Sequence, residues 1–136
     1  MINREDLESF FIRMGVEAEE VDDNIWVLHG SDEDEPRVVV TYAPPVMLLR
    51  LKVMDLPDGV TNEQLAPLFR KLLELNASDL VHGSYGIEEG DVALSDALEL
   101  ETLDFEELRA SYESIVFAAT SHMKDLAELV PVAEKG

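Results

Sequence analysis

Between Val46 and Met54 the chain reads VMLLRLKVM, and its period is two: Met47, Leu49, Leu51 and Val53 share one face, Arg50 and Lys52 the other. Such a segment is a strand with one buried and one solvated side, because unpaired cations do not enter an apolar core. The same pattern fixes register, since a slip of one residue would expose every apolar member. The fold must therefore contain a sheet with one face covered.

Two shorter strand candidates precede this one. NIWVLHG is apolar and RVVVTY is β-branched. The loop SDEDEP separates them, and Pro44 and Pro45 separate the second from VMLLRLKVM, which describes an antiparallel meander. Further along, NASDLVHGSYGIEEGDVALS mixes histidine, serine, tyrosine and acids with glycines. Its period answers for it: Val81, Tyr85 and Ile87 alternate with His82, Ser84 and Glu88, and beyond the turn Val92, Leu94, Leu98 and Leu100 share a face. Glu89, Gly90 and Asp91 form the tip of a hairpin, with Gly90 supplying positive φ. Gly83 and Gly86 inside the strand predict a bulge or a close backbone approach.

Helices bracket the strands. Asn3 and Asp6 form a capping box, Ile2 and Leu7 a staple, and Leu7, Phe10, Phe11 and Met14 an apolar stripe that ends at Gly15. A second helix starts at Thr61 with Gln64 as its box partner, carries Leu65, Leu68, Phe69, Leu72 and Leu75 inward, and stops at Asn76; Pro67 predicts a start or kink within it. The last helix opens with a capping box at Asp104 and Glu107, with Leu103 and Leu108 as its staple. Phe105, Leu108, Tyr112, Ile115, Ala119, His122, Leu126 and Leu129 recur at steps of three and four, and Pro131 ends the run after Val130. Val116, Met123 and Val130 widen its stripe beyond what one sheet face covers.

The expected architecture is α+β: helix, three strands, helix, two strands, helix, with one antiparallel five-stranded sheet packed with helices. A chain of 136 residues with 46% hydrophobic content supports one domain with a real core, spanning 1–136, in which residues from about 131 to 136 are expected to be a flexible tail.

Charge and composition exclude several functions. Thirty acidic against ten basic side chains give a formal charge of −20, which repels phosphate backbones, so no nucleic-acid partner is expected. Without cysteine, disulfides, thiolate metal sites and cysteine nucleophiles are excluded. MINREDLESFF carries charges where a signal peptide needs an apolar core, and no window approaches the ~20 apolar residues of a membrane span; a cytoplasmic protein with no membrane partner is expected.

Catalytic and cofactor patterns are weak. His29, His82 and His122 share no ligand spacing, no phosphate-binding glycine pattern occurs, and SDEDE resembles a calcium loop whose sixth-position glycine is replaced by Pro36 or Arg37 and whose terminal glutamate is missing. No cofactor or metal is expected, and the chain reads as a non-enzyme. One enzymatic alternative remains, a small hydrolase or isomerase using His82 with Glu88 or Asp91, which requires those groups within hydrogen-bond reach in a cleft. An acidic inhibitor or nucleic-acid mimic is a further alternative; it requires the acids to align along one extended face, whereas they spread over loops, caps and helix backs.

The element order, the small size, the acidity and the run LLELNASDLVHGSYGIEEGDVALSDALELETLDFEELRASYESIV resemble the secretion-chaperone-like fold of class I type III secretion chaperones and the YbjN family of bacterial regulators. The local wording is closer to the YbjN side: a Leu-rich helix ending in Leu-Asn, a glycine-containing hairpin, and an acidic cap on the final helix. The resemblance covers about Asp6 to Leu129 and carries no catalytic residues. It implies a non-enzymatic protein-binding module, commonly a homodimer, and in its chaperone branch one that holds an extended segment of a client protein on apolar sheet and helix surfaces.

Two surfaces follow as expectations. If Ile25, Val27, Val38, Val40 and Met47 point inward, then Trp26, Leu28, Val39, Leu48 and Met54 lie on the opposite face and are candidates for protein binding. Ile115, Val116, Ala119 and Met123 on the wide final helix are candidates for a homodimer contact.

Overall fold

The alternation of VMLLRLKVM is realised as the longest strand of a six-stranded sheet. In the computed structural model, which describes residues 1–132, the chain runs α1 (Arg4–Met14), β1 (Glu17–Asp22), β2 (Ile25–His29), β3 (Val38–Ala43), β4 (Val46–Asp55), α2 (Asn62–Ser78), β5 (Ser84–Glu88), β6 (Asp91–Glu99) and α3 (Phe105–Glu128). Of the expected tail, all but its first two residues lies outside the described residues. The strand order is β1-β2-β3-β4-β6-β5, every neighbouring pair antiparallel. The expected five-stranded sheet is corrected to six strands, and the order to helix, four strands, helix, two strands, helix. The additional strand, β1, reads EAEEVD and is exposed along its whole length. With acids on both faces it buries nothing, so backbone pairing to β2 alone makes it a strand.

Register shows which side is covered. Trp26 lies opposite Val40, Val40 opposite Leu49, and these residues, with Leu28, Val38, Met47, Leu51, Val53, Val92 and Leu94, join one apolar core with Leu7 and Phe11 of α1, Leu65, Leu68, Leu72 and Leu75 of α2, and Leu108, Tyr112, Ile115, Ala119 and Leu126 of α3. Arg50 and Lys52 take the other face, as their alternation predicts.

Two of the three expected capping boxes form: Asn3 with Asp6, at a helix that Gly15 terminates at φ 75°, and Thr61 with Gln64 at the start of α2. At α3 half of the box is present, the Asp104 carboxylate accepting from the Glu107 N–H at 2.7 Å. Pro67 neither starts nor breaks α2, which continues to Ser78, two residues past the expected end. Pro67 is exposed, on the solvent side of the helix, so the carbonyl that loses its donor there can bond water instead. α3 stops at Glu128, two residues short of Val130, and spans ~36 Å.

Candidate protein-binding surfaces

At one edge of the sheet, α1 and β1 enclose a hollow. The cap at Gly15 turns the chain sharply, so that β1 runs back beside α1, and Asn24, at φ 64°, makes the turn into β2. Glu8, Phe11, Ile12, Val16, Ala18, Glu20 and Trp26 line a space of about 220 Å³. Arg4 meets three of these residues: its guanidinium bonds Glu20, lies 3.9 Å from Glu8, and stands 5.0 Å from the centroid of the Trp26 ring. Ile12, on the outer side of α1, is 79% exposed.

A second surface is the uncovered face of the sheet. In one row Val27 opposes Val39, Val39 opposes Arg50, and Arg50 opposes Ser95; in the next, Ile25 opposes Thr41, Thr41 opposes Leu48, and Leu48 opposes Ala97. A shallow concavity of about 630 Å³ opens over Val39, Thr41, Leu48, Arg50, Glu88 and Ala97, among others. The two cations of β4 on this face are paired. Arg50 Nε donates to Glu88 Oε2 at 2.8 Å, and Lys52 Nζ to Asp55 Oδ1 at 2.6 Å. That hydrogen bond raises the Lys52 pKa and lowers that of Asp55.

The proposed binding residues divide between the two faces. Val39 and the 40% exposed Leu48 lie on the open face. Trp26 and Leu28 do not: at 2% and 0% exposure they belong to the helix-covered core, and Ile25 and Val27 face outward in their place. The reason is that IWVLH is apolar at nearly every position, so period cannot choose its face, and burying the indole together with Leu28 removes more apolar area from water than burying Ile25 and Val27 would. Met54 is half-buried against the core, because a register shift between Lys52 and Met54 interrupts the alternation there. On α3, Ile115 and Ala119 are fully buried by the chain's own sheet and cannot touch a second copy, whereas Val116 is half-buried and Met123 exposed.

His82, Glu88 and Asp91 are not brought together. Glu88 is held by Arg50, Asp91 lies 3.8 Å from Lys52, and the nearest carboxylate to His82 among the described ion pairs is Asp96, at 3.9 Å. Asp96 also accepts from the Ser111 hydroxyl, fully buried on α3, at 2.6 Å. Among the described residues no group of three or more His, Asp or Glu could hold a metal ion, and no helix is long and apolar enough to cross a membrane.

One polar cluster has no counterpart in the sequence patterns. His122, which the sequence places on the apolar stripe of the last helix, meets the Tyr85 hydroxyl through Nδ1 at 2.8 Å and Asp79 Oδ2 through Nε2 at 2.7 Å. Burial, with the Asp79 carboxylate adding to it, pushes the Tyr85 hydroxyl up to about 12. Asn76 bonds the Tyr85 backbone through both atoms of its carboxamide. These partners are 9 to 43 residues apart, and no local spacing announces them.

Comparison with known proteins agrees with this architecture. Solved structures of the same fold include an uncharacterized protein from Methanothermobacter thermautotrophicus (TM-score 0.70, 12% identity, covering 96% of this chain and 100% of that one). A chain of the heterodimeric ExoU–SpcU complex from the type III secretion system of Pseudomonas aeruginosa matches with TM-score 0.67 and 15% identity over 91% of this chain and 97% of that one. YbjN from E. coli, a proposed transcription regulator, matches with TM-score 0.64 and 14% identity over 91% and 93%. No curated protein matches by sequence. The family model CesT_Tir_1 matches residues 2–131, nearly the whole chain, and the protein belongs to that type III secretion chaperone family.

Proposed function

We propose that this protein is a non-enzymatic, cytoplasmic chaperone that binds an extended segment of another protein along β1 and the hollow between β1 and α1. The observation that carries this reading is the edge itself. β1 is an edge strand of six residues with all of its side chains exposed, lying beside a partly apolar hollow that is floored by Phe11 and Trp26 and flanked by the exposed Ile12. A strand added there gains main-chain hydrogen bonds over ~20 Å, while its alternate side chains enter the hollow. Support also comes from the family and from the ExoU–SpcU match, a chain from a two-protein complex.

Replacing Ile12 by aspartate tests it. The side chain is exposed, so the melting temperature should hold, while a partner captured from native lysate by the wild-type protein should be lost or weakened at least about tenfold. Capture that survives both Ile12→Asp and Val21→Lys would sink the β1 site. Recovery of the protein with membranes on cell fractionation would count against the cytoplasmic part of the reading.

The open sheet face serves a second copy of the chain in this reading. Two molecules of charge −20 repel unless the contact is nearly neutral, and here apolar Ile25, Val27, Val39 and Leu48 are bordered by cations already matched to acids. Light scattering at tens of micromolar should return a dimer mass for the wild type and a monomer mass for Leu48→Arg. A dimer that resists Leu48→Arg but yields to Met123→Arg would move the contact to α3, and a monomeric wild type would remove it.

A further inference from the structure

The sheet has two edges, β1 and β5, and they are built differently. On β5 the Tyr85 N–H donates to Asn76 Oδ1 at 2.7 Å, and Asn76 Nδ2 donates to the Tyr85 carbonyl at 3.1 Å. A carboxamide presents the same donor and acceptor as a peptide group, so Asn76 occupies the place of a residue on a seventh strand. In an antiparallel ladder, backbone groups alternate between the two sides of a strand. Because Tyr85 turns its N–H and C=O toward α2, Ile87 turns outward as well, and Glu89 and Gly90 then begin the turn. One outward residue is left beyond Asn76, too few to register an added strand, since strands commonly run 3–10 residues.

The block is itself held in place. Asn76 sits in the last turn of α2, and three residues later Asp79 grips His122 on α3, whose other ring nitrogen meets the Tyr85 hydroxyl. The tautomer with its proton on Nε2 satisfies both bonds: Nε2–H donates to Asp79, and Nδ1 accepts from Tyr85 O–H. Tyr85 is thus fixed at its backbone by Asn76 and at its hydroxyl through His122 and Asp79.

We infer that Asn76, backed by the Asp79–His122–Tyr85 chain, acts as an edge stop that closes β5 to strand addition, so that an extended partner segment is admitted at β1 only. The direction of addition rests on the reading of β1 as the binding edge; the closure of β5 does not. Removing the stop should open a second edge, and the partner closest to hand for it is another copy of the same strand.

Asn76→Ala removes both bonds. Amide exchange followed by NMR should then show the Tyr85 N–H exchanging at least about tenfold faster, with the amides of β4 unchanged. Sedimentation at tens of micromolar should show mass above the wild-type assembly, and adding Ile87→Pro, which places a residue without a donor at the outward position, should restore the wild-type mass. Should Asn76→Ala fail to fold, Asn76→Asp decides instead: it can still accept the Tyr85 N–H but, ionised, cannot donate to the carbonyl, and it should associate at neutral pH. A folded variant, checked by circular dichroism, with wild-type mass and a still-protected Tyr85 amide overturns the inference, as does association that Ile87→Pro leaves intact. A partner that survives Ile12→Asp and Val21→Lys would defeat the β1 reading without altering any of these β5 readouts.

Discussion

Replacing Trp26 by alanine is expected to cost about 3–5 kcal/mol of folding stability, the range for a large aromatic removed from a packed core. The indole is 2% exposed, meets the Phe11 ring nearly edge-on at 5.8 Å, and lies under the Arg4 guanidinium. Its strand neighbour Val40 is fully buried, so the space vacated has no side chain free to fill it. Domains of this size hold roughly 5–15 kcal/mol in total, and a loss of that order should shift a urea midpoint far outside error. Val27→Ala, one residue along and on the open face, should cost less than about 1 kcal/mol. If the two substitutions cost the same, Trp26 does not face the core.

The second large effect belongs to Gly83. Its φ is +80°, and a Cβ there would stand 2.7 Å from the Ser95 carbonyl oxygen and 3.2 Å from Cγ2 of Ile115. A left-handed conformation costs a residue with a side chain about 1–2 kcal/mol, and the contact with Ser95 is to backbone, which cannot swing aside. Gly83→Ala should therefore destabilise by about 2 kcal/mol or more. Gly86 makes the opposite case: nothing lies within 4 Å of its Cβ position and its φ is unexceptional, so Gly86→Ala should be neutral or stabilise by up to about 1 kcal/mol. Chemical denaturation of the pair checks both signs. Equal shifts in the same direction would contradict the close approach at Gly83.

These two cases mark where the sequence is legible and where it is not. The period of Met47, Leu49, Leu51 and Val53 and the caps at Asn3, Thr61 and Asp104 are local signals, and the structure follows them. Gly83 and Gly86 look alike in sequence, and what separates them is the positive φ of Gly83 and its closeness to Ser95 and Ile115, neither of which is local. β1 was invisible because EAEEVD has no apolar face to give a period; its evidence lies in its partner strand. β2 is legible as a strand but not in its orientation, because IWVLH is apolar on both faces and only the packing shows that Trp26 and Leu28 are the buried pair. Of the candidate surface, Val39 and Leu48 could be placed by alternation, whereas the hollow beside α1 and the Asn76 stop join residues from separate elements and leave no local trace.

The composition of β1 has a consequence for what can meet it. Glu17, Glu19, Glu20 and Asp22 put four carboxylates on a strand of six residues. Set against a second β1, they would bring like charges within about 5 Å of one another across a new ladder, so an edge this open is also one that two copies of the chain do not readily share. A segment rich in lysine or arginine meets the opposite field. It is drawn in before any contact forms, with an encounter rate that falls as salt shortens the reach of the field to about 8 Å at physiological ionic strength. In the reading of β1 as the binding edge, charge therefore begins to sort segments during approach, before the first hydrogen bond is made.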